Sequence, residues 1–286
     1  MEHWLLVSNC QTFGVGNSME LLSPHFKIDA VDIWQFKKNI EKYKDELPNY
    51  FRVIIHPQFR DMDFDFSTAQ NLSLLPSIKF DAYHPDICYA FSNGLLNGPM
   101  GPYHSMIVIG AYNLGLSVDV TRSLFRRDIF EACGFFDRWE DQRSQLLQTF
   151  ATVELDISDQ FRKWSRNGPF MYSVDHAKAA CLHDIANVFM RHHGIETVDG
   201  KLIPPDTLVN GACLPVYPEV GEEYGVNGSY FFKLPNEYRL ISLGHFIELS
   251  FATYSRLPIG SLLVEHPARG RYDKILSVIS EAIVAA

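Results

Sequence analysis

The chain is predicted to fold as an α/β protein, with a small, mostly parallel sheet in its N-terminal part and a predominantly helical remainder. Three observations predict this. Short apolar runs at residues 3–8, 27–34 and 52–56 have strand length and end at polar turns or prolines. The segments between them carry helical rather than alternating periodicity. Beyond residue 102, apolar residues recur almost wholly at helical spacing, with no further strand pattern.

Taken in order, Trp4-Leu5-Leu6-Val7 makes the first run a buried strand, and residues 17–22 follow as a short helix. Ile28, Ala30, Val31 and Ile33 give the second strand its alternation. Residues 35–47 place Phe36, Ile40 and Tyr43 on one helical face, and Pro48 closes the helix. Arg52-Val53-Ile54-Ile55-His56 is a third strand stopped by Pro57, and residues 77–80 supply a possible fourth. Residues 83–102, rich in Gly, Pro and Asn, read as a long functional loop. Helices are expected at 103–114, 117–125, 139–164 and 177–193, the last closed by Gly194. Residues 201–235 read as an irregular crossing, and 242–254 and 272–284 as two final helices. The expected organisation is one α/β domain over 1–286, with a catalytic core at 1–200 and residues 201–286 packed on it.

Composition bounds the function. A formal net charge of −9 argues against nucleic-acid binding, which needs a basic face. A small anionic ligand stays compatible, because a few basic groups and a helix N-terminus hold one. The N-terminus has neither a basic start nor a long apolar stretch, and no run is long enough to span a bilayer. Five scattered cysteines, Cys10, Cys88, Cys133, Cys181 and Cys213, form no Cys-x-x-Cys pair, the pattern of free thiols in a reducing compartment. A soluble, cytoplasmic protein without a metal site is expected.

In open α/β sheets, ligands bind beyond the carboxyl ends of strands. Asn9-Cys10-Gln11 follows the first strand, His56 the third, and Tyr83-His84-Pro85-Asp86 the possible fourth. A cysteine at a strand-to-helix turn has its thiolate favoured by backbone N–H groups and the helix dipole. The same N–H groups, with the Asn9 or Gln11 amide, could stabilise an oxyanion. The other reading of Cys10 is a buried small apolar side chain. A thiol nucleophile needs a base, and His176, just ahead of the 177–193 helix, is the best placed. His84 and Asp86 are read either as acid and base or as parts of a structural turn. Tyr103-His104-Ser105 follows a Gly- and Pro-rich segment that matches no nucleotide fingerprint. Arg122, Arg126 and Arg127, with Arg162, Lys163 and Arg166, are the densest basic groups and could hold phosphates.

Asn9-Cys10-Gln11, Tyr83-His84-Pro85-Asp86, Gly101-Pro102-Tyr103-His104-Ser105 and a histidine at a helix start, in that order, resemble the WcbI family of capsular polysaccharide biosynthesis proteins. The resemblance spans roughly residues 3–193. It implies coenzyme A binding, acetyl transfer to a capsule sugar, and an active site and sheet like those of SGNH-type carbohydrate esterases and flavodoxin-like folds. Cys10 then stands where those esterases place serine, and His176 where they place their late histidine. Ser173 departs from the pattern, which has aspartate three residues before the histidine; Asp175 or Asp86 would have to orient the ring instead. The resemblance implies an acetyl-CoA-dependent O-acetyltransferase, with Cys10, His176, Gln11 and Asn9 at the reacting centre. His56, Tyr83, His84, Asp86, Tyr103, His104, Ser105, Arg126 and Arg127 are expected to bind donor or acceptor. A carbohydrate esterase with the same site, and a non-catalytic subunit binding coenzyme A or sugar in a capsule assembly complex, are the rival readings.

Overall fold

The β1 strand owes its central place to four consecutive apolar side chains, Trp4 to Val7, each at most 1 % exposed. A strand buried on both faces belongs inside a parallel sheet. In a computed structural model of the chain, which describes residues 2–198, 202–258 and 261–284, the order opens with β1 (Glu2–Ser8), α1 (Thr12–Leu22), β2 (Phe26–Asp32), α2 (Ile33–Lys38), α3 (Ile40–Glu46), β3 (Arg52–Ile55) and β4 (Leu72–Leu74). It continues through β5 (Ile87–Phe91), β6 (Tyr103–Ser105), α4 (Met106–Asn113), α5 (Val118–Ser123), α6 (Arg127–Cys133), α7 (Arg138–Ala151), α8 (Ser158–Arg166) and α9 (Ala179–His192). It closes with α10 (Pro218–Tyr224), β7 (Phe231–Lys233), β8 (Leu240–Ser242), α11 (Leu243–Tyr254), β9 (Leu263–Val264) and α12 (Arg269–Val284).

Two compact units emerge. The first comprises Met1–Lys79, Arg143–Met171 and Asp175–Val209; the second comprises Phe80–Gln142, Tyr172–Val174 and Asn210–Ala286. In the first, a parallel sheet has the order β2-β1-β3-β4, with Leu5 beside Val53 and Val7 beside Ile55. Those four side chains share a core with Ile33, Phe36, Tyr43, Leu47, Tyr50, Phe64 and Phe66. Each such buried large side chain contributes roughly 1.5–3 kcal/mol. Helix α1 packs against β2 and α9. Small residues permit that approach: a Cβ at Gly14 would lie 2.4 Å from Leu182 Cδ1, and one at Gly16 would lie 2.8 Å from the Ala30 Cβ. The start of α1, and the turn that feeds it, are thereby held against both neighbours.

The mixed α/β architecture agrees with the sequence, but several boundaries differ for identifiable reasons. Residues 77–80 form no strand; β4 is Leu72–Leu74, and the Ile78 amide and carbonyl are instead engaged by the Gln11 side chain. The 83–86 segment therefore does not extend a strand of the parallel sheet. The helix expected over 35–47 breaks at Asn39, whose side chain takes the Gln35 carbonyl at 2.8 Å. The helix expected over 139–164 is two, α7 and α8, separated where Glu154 adopts a φ of 62°. Helix α1 starts at Thr12, five residues earlier than the apolar pattern suggests.

In the second unit, the 83–102 segment contains β5, and Tyr103–Ser105 is a strand rather than the start of a helix. They pair antiparallel, in a sheet of order β6-β5-β9. Helix α4 begins only at Met106, capped by Ser105 Oγ, which accepts from the Val108 N–H at 3.2 Å. The 201–235 crossing begins outside the described residues at 201; its described part contains α10 and the first strand of a β7–β8 hairpin. Among the described residues no helix is long and apolar enough to cross a membrane.

Candidate active site

At the carboxyl end of β1 the chain turns through Asn9. The Asn9 carbonyl accepts from the Thr12 N–H at 3.1 Å and the Thr12 hydroxyl at 2.6 Å, while Asn9 Oδ1 accepts from the Gln11 N–H at 3.0 Å. This Asx turn starts α1 and leaves Cys10 partly open to solvent. The Cys10 sulfur lies 3.9 Å from Asn9 Oδ1 and 4.0 Å from the Asp175 carbonyl. Burial, reinforced by the Asp175 charge, pushes the thiol up to about 12, against the N–H groups of Cys10 and Gln11. At this turn desolvation outweighs the local dipoles that favour a thiolate. Cys10 rests as a thiol.

Gln11 is buried and uses its whole carboxamide. Its Nε2 donates to the Ile78 and Asp175 carbonyls, each at 2.7 Å, and its Oε1 accepts from the Ile78 N–H at 3.0 Å. Both side-chain donors are committed, so this amide has no N–H left for an oxyanion. Its effect is to draw the 78 and 175 segments to the Cys10 turn.

That clamp places His176. The Asp175 carbonyl beside the sulfur is the residue immediately before it, and His176 is itself partly exposed. Burial lowers the imidazole's proton affinity, while the Asp175 and Asp206 carboxylates raise it in part. A neutral ring at physiological pH suits a general base. Asp206 is fixed by its own contacts: it accepts from the N–H groups of Ala179, at the start of α9, and of Leu208 and Val209. Ser173, where an SGNH enzyme carries aspartate, is fully buried.

His56, at the end of β3, joins the same turn. Its Nε2 lies 3.2 Å from Ser77 Oγ, which accepts from Asn9 Nδ2 at 2.9 Å. The first unit therefore brings Asn9, Cys10, Gln11 and His56 into one neighbourhood, with His176 next in sequence to the Asp175 carbonyl that faces the sulfur. Sequence reasoning missed Ser77 and Asp206. No strand-end or motif signal marks either; Ser77 was visible only as the start of a supposed strand.

The other candidates lie in the second unit. Tyr83, His84, Asp86, Tyr103, His104 and Ser105 are all buried. Asp86 Oδ2 accepts from Ser105 Oγ at 2.5 Å and from the Tyr217 hydroxyl at 3.2 Å, and burial pushes its carboxyl up to about 6. His84 Nε2 donates to the Leu214 carbonyl at 3.2 Å, and burial pushes the ring down to about 4. His104 spans the Tyr254 hydroxyl and the Leu96 carbonyl. These residues are buried and bonded within the second unit. Arg126 donates to Asp128, and Arg127 pairs with Glu222 and Glu223, all on the surface. Among the described residues, no group of three or more His, Cys, Asp or Glu side chains is placed to hold a metal ion.

Comparison with known proteins bears on this arrangement. The model of the family described as polysaccharide biosynthesis enzyme WcbI matches residues 3–198. No curated protein matches the chain significantly. Among solved structures, a similar fold occurs in WcbI, a polysaccharide biosynthesis enzyme in a native form without a disulfide bond between coenzyme A and one of its cysteines. That likeness has a TM-score of 0.70 at 14 % identity and covers 98 % of this chain and 97 % of the other.

Proposed function

The chain belongs to the WcbI family of polysaccharide biosynthesis enzymes, and from that premise we propose that it transfers an acetyl group from acetyl-CoA to a hydroxyl of a surface-polysaccharide sugar. The observation that carries this reading is the Cys10 thiol, partly open to solvent and packed against Asp175, the residue that leads directly into His176. Support for coenzyme A comes from the solved neighbour, a native form without a disulfide bond between coenzyme A and one of its cysteines.

In the proposed reaction, neutral His176 takes the proton of Cys10 as the sulfur attacks the thioester carbonyl. The carbonyl then re-forms, the bond to the coenzyme A sulfur breaks, and the proton passes from His176 to that sulfur. His176 next removes the proton of a sugar hydroxyl, whose oxygen attacks the acetyl-cysteine and frees the Cys10 thiol. A base is required because the thiol, pushed up to about 12, is not ionised at neutral pH. Biosynthetic family membership favours a sugar acceptor over water, the acceptor in an esterase reading of the same residues.

Quenching the full-length protein after mixing with radiolabelled acetyl-CoA tests the route. Label on the Cys10 peptide, discharged by added acceptor sugar, is expected. Turnover without label at Cys10 would replace this route with direct transfer, in which His176 activates the sugar and Cys10 only shapes the site. Ester cleavage indifferent to coenzyme A would make the protein a hydrolase. Coenzyme A or sugar binding with no turnover, unchanged in Cys10→Ser, would make it a binding subunit.

A further inference from the structure

We infer that Ser77 and His56 are positioning residues that act through Asn9 to hold the Cys10 thiol protonated in the resting protein. The hydrogen bonds fix the direction of this chain. His56 Nδ1 accepts from the Gln58 N–H at 3.2 Å, so the neutral ring carries its proton on Nε2. That Nε2–H points at Ser77 Oγ, 3.2 Å away. Ser77 Oγ thus accepts from His56 on one side and from Asn9 Nδ2, at 2.9 Å, on the other.

An oxygen that accepts the Asn9 amide fixes which end of the carboxamide faces the sulfur. With Nδ2 committed to Ser77, Oδ1 is turned toward the Gln11 N–H, at 3.0 Å, and the Cys10 sulfur, at 3.9 Å. The Asp175 carbonyl, 4.0 Å from the same sulfur, is a second acceptor. Acceptors favour S–H over S⁻. Burial is the largest influence raising the thiol and the Asp175 charge adds to it, opposed by the N–H groups of Cys10 and Gln11; the two oxygens are the acceptors nearest the sulfur. His56 is 9 % exposed and packs on Phe59, and burial keeps it neutral and so in the tautomer the chain requires. The resting sulfur is guarded against alkylation and oxidation until a base removes its proton. This concerns the thiol's proton and stands whether or not acetyl transfer is the reaction.

The test is the pH dependence of Cys10 alkylation by iodoacetamide in the full-length protein, read on the Cys10 peptide by mass spectrometry. Ser77→Ala removes the anchor of the Asn9 amide, and alkylation at about pH 8.5 is expected to rise roughly fivefold, the size of one net hydrogen bond. Ser77→Thr, which keeps the oxygen, restores the wild-type curve. His56→Phe moves the curve in the same direction by less, and Asn9→Asp slows alkylation by placing a charge beside the sulfur. Should Ser77→Ala fail to fold, His56→Phe and Asn9→Asp decide. Superimposed curves for wild type and the folded variants, or slower alkylation in Ser77→Ala, overturn the inference. Neither result touches the acetyl-transfer reading, which is decided by label on Cys10.

Discussion

At the carboxyl end of β1, Asn9, Cys10, Asp175 and His176 are each partly open to solvent, whereas His84, Asp86, His104 and Ser105 in the second unit are at most 1 % exposed. Both groups use the residue types of acid–base and nucleophilic chemistry, and both were read from the sequence as site candidates. Their surroundings separate them. Around Cys10, Gln11 and Ser77 bind the turn together while the sulfur stays reachable. In the second unit the polar side chains bond to one another or to backbone, as a buried network does. Even there, His84 Nδ1 and Asp86 Oδ1 find no hydrogen-bond partner among the described residues. A polar constellation marks chemistry only where its spare bonding capacity faces a ligand.

The sharpest way to break this contrast is to remove the proposed nucleophile and base. Cys10→Ala is expected to lower acetyl transfer by on the order of 10³-fold or more, and His176→Ala by roughly 10²- to 10⁴-fold, with little change in melting temperature. Steady-state rates beside thermal melts measure both. A variant that loses activity only in proportion to its folded fraction would give the Cys10 turn the same structural standing as the Asp86 network.

In the second unit the expected losses are of stability. Asp81 is buried and holds two cations: Arg138 Nη2 at 2.5 Å and Arg271 Nη1 at 3.1 Å. Asp81→Ala removes the carboxylate that both guanidinium groups share and is expected to cost about 3–5 kcal/mol. Chemical denaturation would show it as a lower midpoint at unchanged slope. A loss under about 1 kcal/mol would mean that water reaches these arginines freely.

The buried acid and imidazole make a subtler prediction. Asp86, pushed up to about 6, keeps a proton that the unfolded chain releases near 3.9. That binding favours folding in acid and is lost as pH rises through about 6. His84, pushed down to about 4, works oppositely: its contribution is present above about 6.5 and lost as pH falls toward 4. Each amounts to about 3 kcal/mol over nearly the same window, so in the wild type they offset. Asp86→Asn unmasks the histidine. Its stability is expected to fall by about 3 kcal/mol relative to wild type between pH of about 6.5 and 4. Parallel stability–pH curves for the two proteins would show that these groups do not oppose each other.

Much of the first unit was legible because β1, β2 and β3 carry their own apolar patterns and their ends name the ligand edge. Cys10 and His56 were proposed from those strand ends, and His176 from its place just ahead of a helix. Long-range contacts were not legible. Gln11 reads as a strand-end amide, yet it spends its bonds on Ile78 and Asp175, each more than 60 residues away. The same contact explains why 77–80 is no strand, so the 83–86 motif follows no fourth strand there. Ser105 was read inside a helix because Met106 to Ala111 is apolar throughout, although it is the residue that caps that helix. Which of the two readings of Cys10 holds was not legible, because local dipoles show in sequence and desolvation does not.

The smallest effect expected is at the arginines. Arg126 and Arg127 are the basic residues that sequence alone would give to the coenzyme A phosphates, yet each already answers to surface carboxylates: Asp128 for the first, Glu222 and Glu223 for the second. Exposed pairs of this kind add little to folding, so Arg126→Ala and Arg127→Ala should leave the melting temperature unchanged. Their charges are largely neutralised by neighbours, so coenzyme A affinity by calorimetry should change by less than about twofold at physiological salt. A drop of tenfold or more in either variant, reduced by added salt, would assign the donor phosphates to this surface. It would then extend the ligand-facing set beyond the Cys10 turn, and the contrast between an open first-unit site and a closed second-unit core would no longer describe where coenzyme A binds.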